Sequence, residues 1–296
     1  MILSPAKLNL SLKINKILDD GYHSISSHVF FLDLFDRIYI KKSSFNNVEV
    51  EGDFKNDLTH NGGDTIISKS LSFCQNHFHT NQKINVKLQK NIPVSAGLGG
   101  GSANSASIIR YFLSQIKFKQ KKLINEIIKL SATMGSDVPA CLYSSPLLME
   151  GKGEKIKLLK FNDKLDIGIV LMNPKIQLST KKVFKNLVIK KPRGKRSIIS
   201  VNNFSDIYKI SSLGNDLEKT AIKIVPEISN ILNVFKKYDA CFSYGMSGSG
   251  ATCYGIFYSR KRANDFKRDI IKANETKNYW IWSGGLLKKR DLILKV

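Results

Sequence analysis

Paired cysteines are missing from this sequence. Cys74, Cys141, Cys241 and Cys253 show no Cys-x-x-Cys spacing. That argues against a disulfide framework and a thiolate zinc site, and it predicts free thiols in a reducing compartment. Histidines are few, and His23, His28, His60, His77 and His79 all fall in the first third. His77 and His79 would share one face of a strand, but no carboxylate or cysteine partner follows, so no metal centre is expected there. No apolar run approaches the roughly 18 residues of a membrane span. The opening Met-Ile-Leu-Ser-Pro-Ala-Lys has no basic leader ahead of an apolar stretch, so the expectation is a cytoplasmic protein that does not engage a membrane. Acidic residues are scarce, 24 against 47 basic ones, for a net charge of +23. Such a field attracts nucleic acid, anionic lipid or phosphorylated small molecules. The lysines are scattered, however, and the one dense cluster, Lys190, Lys191, Arg193, Lys195 and Arg196, surrounds Pro192 and Gly194 and reads as an exposed loop. With no helix-turn-helix, zinc module or aromatic RNA-binding signature, a basic nucleic-acid-binding protein is the rival class and no nucleic-acid partner is expected.

What is present is an ordinary globular composition, 42% hydrophobic and 24% charged over 296 residues, enough for one large domain or two ordinary ones. Ala6, Leu8, Leu10, Leu12 and Ile14 alternate with Lys7, Asn9, Ser11, Lys13 and Asn15. This period of two predicts a half-buried strand with Lys7, Asn9 and Ser11 on one face. Asp19-Asp20-Gly21 makes a turn that places Tyr22 and His23 just beyond it. Apolar runs at 29–34 and 38–40 predict two strands, 46–57 a polar loop, 66–78 a helix and 84–88 another strand. Helical spacing recurs at Ala106, Ile109, Leu113 and Ile116, and again over 123–133, ending before Gly135. Asp137 follows at a backbone junction ahead of Val138 and Pro139. A hairpin is expected over 141–156, turning near Gly151–Gly153, and a buried strand over 167–171. Helices are expected from Thr180, over 215–225 and 227–235, and over 261–273. Strands are expected over 241–244, 253–257 and 279–282. The mixture is α+β, with a boundary near residues 155–160.

The chemical signal is strongest at Ile92-Pro93-Val94-Ser95-Ala96-Gly97-Leu98-Gly99-Gly100-Gly101-Ser102-Ala103. Four glycines within five residues carry an entropic cost that a backbone cradle would justify. A strand, a glycine loop and a helix in that order aim N–H groups and a helix dipole at one spot, an arrangement suited to phosphate. It is not a Walker loop, since Gly101 is followed by Ser102 with no lysine, and Ser102 stands where a dinucleotide fingerprint needs its third glycine. No His-Arg-Asp or Asp-Phe-Gly element of the protein kinases occurs. A second cluster, Gly245-Met246-Ser247-Gly248-Ser249-Gly250-Ala251-Thr252, reads either as a hairpin with a bulge or as a second wall of the same site.

Pro5-Ala6-Lys7-Leu8-Asn9, Pro93–Ala106 and Gly248–Thr252 together resemble the three ordered motifs of the GHMP kinases, along nearly the whole chain. Within that family, Asp20-Gly21-Tyr22-His23 and Gly135-Ser136-Asp137-Val138-Pro139 are similar to the members that phosphorylate the 2-hydroxyl of a cytidine diphosphate-linked methylerythritol, a step toward isoprenoid precursors. The resemblance implies an ATP-dependent kinase using Mg²⁺, with other GHMP kinases, for homoserine or mevalonate derivatives, as the alternative. It implies two domains, 1–157 with the fold of ribosomal protein S5 domain 2 and 158–296 as a ferredoxin-like sandwich, in a monomer or homodimer. It implies that Lys7 and Asp137 are catalytic and that Pro93, Val94, Ser95, Ala96, Gly97, Leu98, Gly99, Gly100, Gly101, Ser102 and Ala103 bind ATP. Asn9, Tyr22, His23 and Phe184 would meet the acceptor, although Phe184 also suits plain core packing. No protein ligand to Mg²⁺ follows from it. Ala103 departs from the family pattern, which has a second serine there.

Overall fold

The computed structural model describes residues 1–59, 65–116, 121–187, 198–273 and 278–288. His60 and the basic cluster 190–196 lie outside the described residues. The chain begins with β1 (Ile2–Ile17), β2 (His23–Ser43), β3 (Asn47–Glu51), α1 (Lys55–Thr59), α2 (Thr65–His77) and β4 (Lys83–Gln89). It continues through α3 (Gly100–Gln115), α4 (Lys121–Ser131), α5 (Val138–Tyr143), β5 (Leu147–Gly151), β6 (Lys155–Leu158) and β7 (Lys160–Phe161). Next come β8 (Gly168–Asn173), α6 (Thr180–Lys185), β9 (Ser200–Val201), α7 (Phe204–Ser211), α8 (Glu218–Ile224) and α9 (Glu227–Lys236). It closes with β10 (Cys241–Met246), β11 (Cys253–Phe257), α10 (Arg260–Lys272) and β12 (Trp280–Gly285).

Among the described residues, the first six strands form one sheet in the order β3-β4-β2-β5-β6, with β1 also paired to β2. A second sheet runs β10-β11-β8-β12 with all neighbours antiparallel. Its strand–helix–strand–strand–helix–strand order is the ferredoxin-like arrangement the family resemblance implied. The expected α+β mixture is present.

Local expectations fail where distant partners decide the structure. The strand carrying Lys7 is not half-buried: residues 4–12 are all buried, so its polar face points into the protein. The two strands expected over 29–40 are one 21-residue strand, β2. The polar loop over 46–57 holds β3 and α1, and the Cys141 end of the expected hairpin is helix α5. His77 ends helix α2 instead of lying on a strand.

β1 and β2 pair with irregular register between Pro5 and Lys7 and between Asn9 and Ser11, on either side of the two residues singled out above. Bulges of this kind bend a strand and re-aim its side chains. At the first irregularity the extra β2 residues include Asp33, whose carboxylate pairs with Arg260 and accepts from the Gly285 N–H at 2.8 Å. A Leu32–Leu286 bridge lies alongside. The two sheets are thereby pinned together, with Phe30, Leu32, Ile169, Leu171 and Ile256 in one buried apolar cluster.

Candidate active site

The loop between β4 and α3 is held by its carbonyl groups. Ala96 O accepts from Thr252 N at 3.3 Å, Gly97 O from Ser247 Oγ at 2.9 Å and Leu98 O from Lys7 N at 2.9 Å. With the carbonyls engaged on protein, the first-turn N–H groups of α3, which no helix carbonyl can reach, are left for an anion. Gly99 is the N-cap at φ 63°, where a left-handed backbone costs glycine nothing, and the first helical bond runs from Ala103 N to its carbonyl at 2.9 Å.

The second glycine cluster is a wall of this site rather than a remote hairpin turn. A methyl group on Gly97 would overlap the Ser247 carbonyl oxygen and stand 3.0 Å from that of Gly250. One on Gly248 would stand 3.2 Å from Lys7 Nζ and 3.3 Å from Asn9 Oδ1. Asn215 clamps the cluster from behind, donating to the Met246 and Gly248 carbonyls at 2.8 Å each.

Lys7 is 4% exposed and its ammonium lies at the meeting point of the two loops. It donates to Asn9 Oδ1 and pairs with Asp137 Oδ2 at 3.1 Å. A methyl on Gly99 would stand 3.0 Å from the Lys7 Cε, so that glycine is also what lets the lysine pass under the loop. Asn9 is fixed on three sides: its N–H donates to Ser247 Oγ at 3.2 Å, its side-chain amide donates to Ser27 Oγ at 2.8 Å, and its Oδ1 accepts from Lys7. Asp137 occupies the N-cap position of α5, yet its carboxylate makes no capping bond and turns to Lys7 instead. Beneath it Cys141 is buried; desolvation first, then the nearby Asp137 charge, pushes its thiol well above the usual range, which keeps it a neutral packing residue.

The glycines of the loop do not all point the same way. A methyl on Gly100 would stand 2.9 Å from Lys90 Nζ and 3.1 Å from Ile92 Cγ2, so Gly100 faces the interior, whereas Gly101 has nothing nearer than Ile66 at 3.6 Å. Lys90 belongs to a buried support. Its ammonium reaches Asp36 Oδ2 at 2.6 Å, and the Asp36 carboxylate also accepts from Asn91 N, Ile92 N and Asn104 Nδ2 at 2.7, 2.8 and 3.0 Å.

The expected acceptor residues separate into two groups. Asn9 joins Lys7 and Asp137, while His23 meets Phe184 with ring centroids 4.9 Å apart. Tyr22 is 64% exposed, and its ring lies under the Lys152 ammonium at 4.9 Å, with Lys152 paired to Asp20. The helix bearing Phe184 is tied to the second glycine loop by Thr180 Oγ1 and Ser249 Oγ at 2.7 Å. Ser11 holds His28: its hydroxyl meets Nδ1 at 2.7 Å while Nε2–H donates to the Ile198 carbonyl at 3.0 Å, and burial lowers the ring's affinity for a proton.

Sequence reasoning did not single out Asn215, Asp36 or Lys90. Ser247 lay inside a flagged cluster, but nothing local indicated that its hydroxyl would join Asn9 to Gly97. Asp36 did carry a signal, a lone acid between apolar runs.

Comparison with known proteins identifies the arrangement. The GHMP kinases N terminal domain matches residues 65–145 and the GHMP kinases C terminal domain residues 196–276. A 4-diphosphocytidyl-2-C-methyl-D-erythritol kinase of Caldicellulosiruptor saccharolyticus is 33% identical over 276 residues, covering 90% of this chain and 92% of its own. One from Clostridioides difficile is 32% identical over 278 residues, covering 91% and 90%. The chain belongs to the GHMP kinase family. Among solved structures, a 4-(cytidine 5'-diphospho)-2C-methyl-D-erythritol kinase superposes with a TM-score of 0.74 at 20% identity, covering 97% of this chain and 98% of that one. A homoserine kinase from Cytophaga hutchinsonii superposes with a TM-score of 0.68 at 16% identity, covering 96% and 94%, so the fold is shared across GHMP kinases of different acceptors. As a GHMP kinase the chain is a small-molecule kinase. Among the described residues no helix is long and apolar enough to cross a membrane.

Proposed function

We propose that this GHMP kinase transfers the γ-phosphoryl group of ATP to the 2-hydroxyl of 4-diphosphocytidyl-2-C-methyl-D-erythritol, in the methylerythritol phosphate route to isoprenoid precursors. The observation that carries the reading is the Lys7–Asp137 contact at 3.1 Å, set where both glycine loops meet; the helix bearing Phe184, which packs on His23, is tied to the second of those loops. We take 1–157 as the nucleotide-binding and catalytic domain and 158–296 as the second domain, a division supported by the break between the last strand of the first sheet, ending at Leu158, and the first of the second sheet, starting at Gly168.

Phosphoryl transfer asks for position and charge neutralisation more than covalent help. The segment Pro93–Ala103 holds the ATP phosphates on the first-turn N–H groups of α3. Asp137 accepts the proton of the acceptor hydroxyl as it attacks. Lys7, fixed by Asn9, stabilises the oxygen that carries the developing charge. Phosphoryl transfer from ATP calls for a Mg²⁺ ion at the phosphate end of the site. The chain's oxygens at that end are Asp137 and the hydroxyl of Ser102, which a methyl on Gly135 would approach to 3.5 Å. Mg²⁺ bound there with ATP would neutralise phosphate charge.

His23 and Phe184 enclose the cytosine, with Tyr22 at the exposed edge. His23→Ala should raise the KM for the cytidyl acceptor about 10-fold, narrow its advantage over a uridyl analogue, and leave the KM for ATP nearly unchanged. Unchanged cytidyl preference would remove His23 from recognition. The reading as a whole is tested by ADP release with the cytidyl acceptor, homoserine and mevalonate in parallel; faster turnover of either of the last two would overturn the acceptor assignment.

A further inference from the structure

Helix α3 buries an arginine. Ala103, Ala106, Leu113 and Arg110 lie on neighbouring turns, and Arg110 is 5% exposed. Among the described residues no carboxylate lies within ion-pairing distance of it. Burial lowers its pKa to about 10, so it stays cationic at neutral pH. A buried unpaired cation is costly, and its hydrogen bonds show what the cost supports.

They go to the C-terminal end of α5, whose N-cap is Asp137, and to Ser107 within α3 itself, from which a serine contact reaches β1. Nη1 donates to the Cys141 carbonyl at 3.1 Å and to Ser144 Oγ at 2.8 Å, capping the C-terminal end of α5. Ser144 Oγ itself donates to the Cys141 carbonyl at 2.7 Å. The Cys141 N–H in turn donates to the Asp137 carbonyl at 3.0 Å. One residue, Cys141, therefore separates the guanidinium from the backbone of Asp137. Nη2 donates to Ser107 Oγ at 3.0 Å, and Ser107 Oγ accepts from Ser4 Oγ at 2.7 Å, three residues before Lys7 on β1. Arg110 itself rides on the helix whose first turn forms the phosphate cradle. A cation at the C-terminal end of a helix also opposes its dipole.

We propose that Arg110 is a positioning residue for phosphoryl transfer: it fixes α5, and through it Asp137, against the strand bearing Lys7 and the helix bearing the glycine loop. It touches neither ATP nor acceptor. Its effect is on kcat, since a small displacement of the proton acceptor disrupts the attacking geometry while leaving both binding pockets in place.

The test is a kinetic cycle on the intact chain. Arg110→Met should lower kcat roughly 10- to 50-fold while both KM values stay within about 3-fold and calorimetry still gives one ATP site per chain. Arg110→Lys, which keeps the charge and can reach the Cys141 carbonyl, should recover part of the loss. In an Asp137→Asn background, Arg110→Met should cost little more, because a residue that acts through Asp137 has nothing left to act through. If Arg110→Met does not fold, Ser144→Ala removes one arm of the network and should lower kcat by about 3-fold or more at unchanged KM. Full kcat in either variant, a loss confined to KM or ATP stoichiometry, or full additivity with Asp137→Asn overturns the proposal. The inference rests on the acceptor reading above, so wild-type turnover of the cytidyl acceptor is measured first. Its absence sinks that reading alone, and the same cycle is then run with whichever of homoserine or mevalonate is turned over.

Discussion

Asp137→Asn should lower kcat by about 10²–10⁴ while ATP affinity stays within a few-fold. The exchange keeps shape and removes the proton acceptor. Because the Asp137 side chain makes no capping bond in α5, the helix loses nothing directly. Lys7 keeps Asn9 as a hydrogen-bond partner, and the new amide oxygen can still accept from its ammonium, so the buried lysine is not stranded. The thermal midpoint should therefore move by only a few degrees, about what 1 kcal/mol produces in a chain of this size. Three measurements decide the matter: ADP release for kcat, calorimetric titration for ATP, and thermal unfolding. A variant that turns over at near wild-type rate removes Asp137 from the chemistry. A variant that loses ATP binding in parallel makes its role structural.

The Asp137 position was legible in sequence only through its motif, and the reason is physical. On local signals it is a residue between a glycine stop and Val-Pro, as fit for a turn as for catalysis. What distinguishes it is a partner 130 positions away, Lys7, on the first strand. The alternation held for Lys7 and Asn9 but not for Ser11: the irregularity between Asn9 and Ser11 shifts its phase, so Ser11 pairs with His28 on the other face and Leu12 joins the cluster of Val29 and Phe31. Alternation also cannot say what the Lys7–Asn9 face meets; here it meets the second glycine cluster, and the strand is buried on both sides. β2 was read as two strands because Asp36 and Arg37 interrupt its apolar run. Asp36 stays in a buried strand because Lys90, Asn91, Ile92 and Asn104 satisfy its carboxylate, all far along the chain. The residues Cys141–Tyr143 suit a strand by propensity and form a helix because Pro139 sits in its first turn and Arg110 caps its far end. Period and turn chemistry are local and were readable. Register, caps and buried pairs are settled by contacts between distant segments, which weak local propensity does not oppose.

Gly97→Val should be the most damaging change within the glycine loop, and for a reason the glycine count alone does not supply. Gly97 has φ 77°, a left-handed conformation that costs a side-chain-bearing residue about 1–2 kcal/mol. Its added carbon would also overlap the Ser247 carbonyl oxygen and crowd that of Gly250, both backbone atoms that cannot swing aside. Overpacking of that kind adds about 1–3 kcal/mol, and relief requires the two glycine loops to part. Parting them breaks the Ser247–Gly97 bond and moves Ser247 from Asn9, so Lys7 loses its fixed neighbour as well. Turnover should fall by about 10²-fold or more, as when reacting groups are misplaced by an ångström, and the thermal midpoint should fall with it. Gly101→Ala is the control within the same loop. Its added carbon has only Ile66 near it, at 3.6 Å, and Gly101 is not among the residues with positive φ. That variant should keep its thermal midpoint, and any loss should appear as a raised KM for ATP with the acceptor KM unchanged. Should Gly97→Val retain its midpoint and its kcat, the packing of one glycine loop on the other would not be what holds the catalytic groups in place.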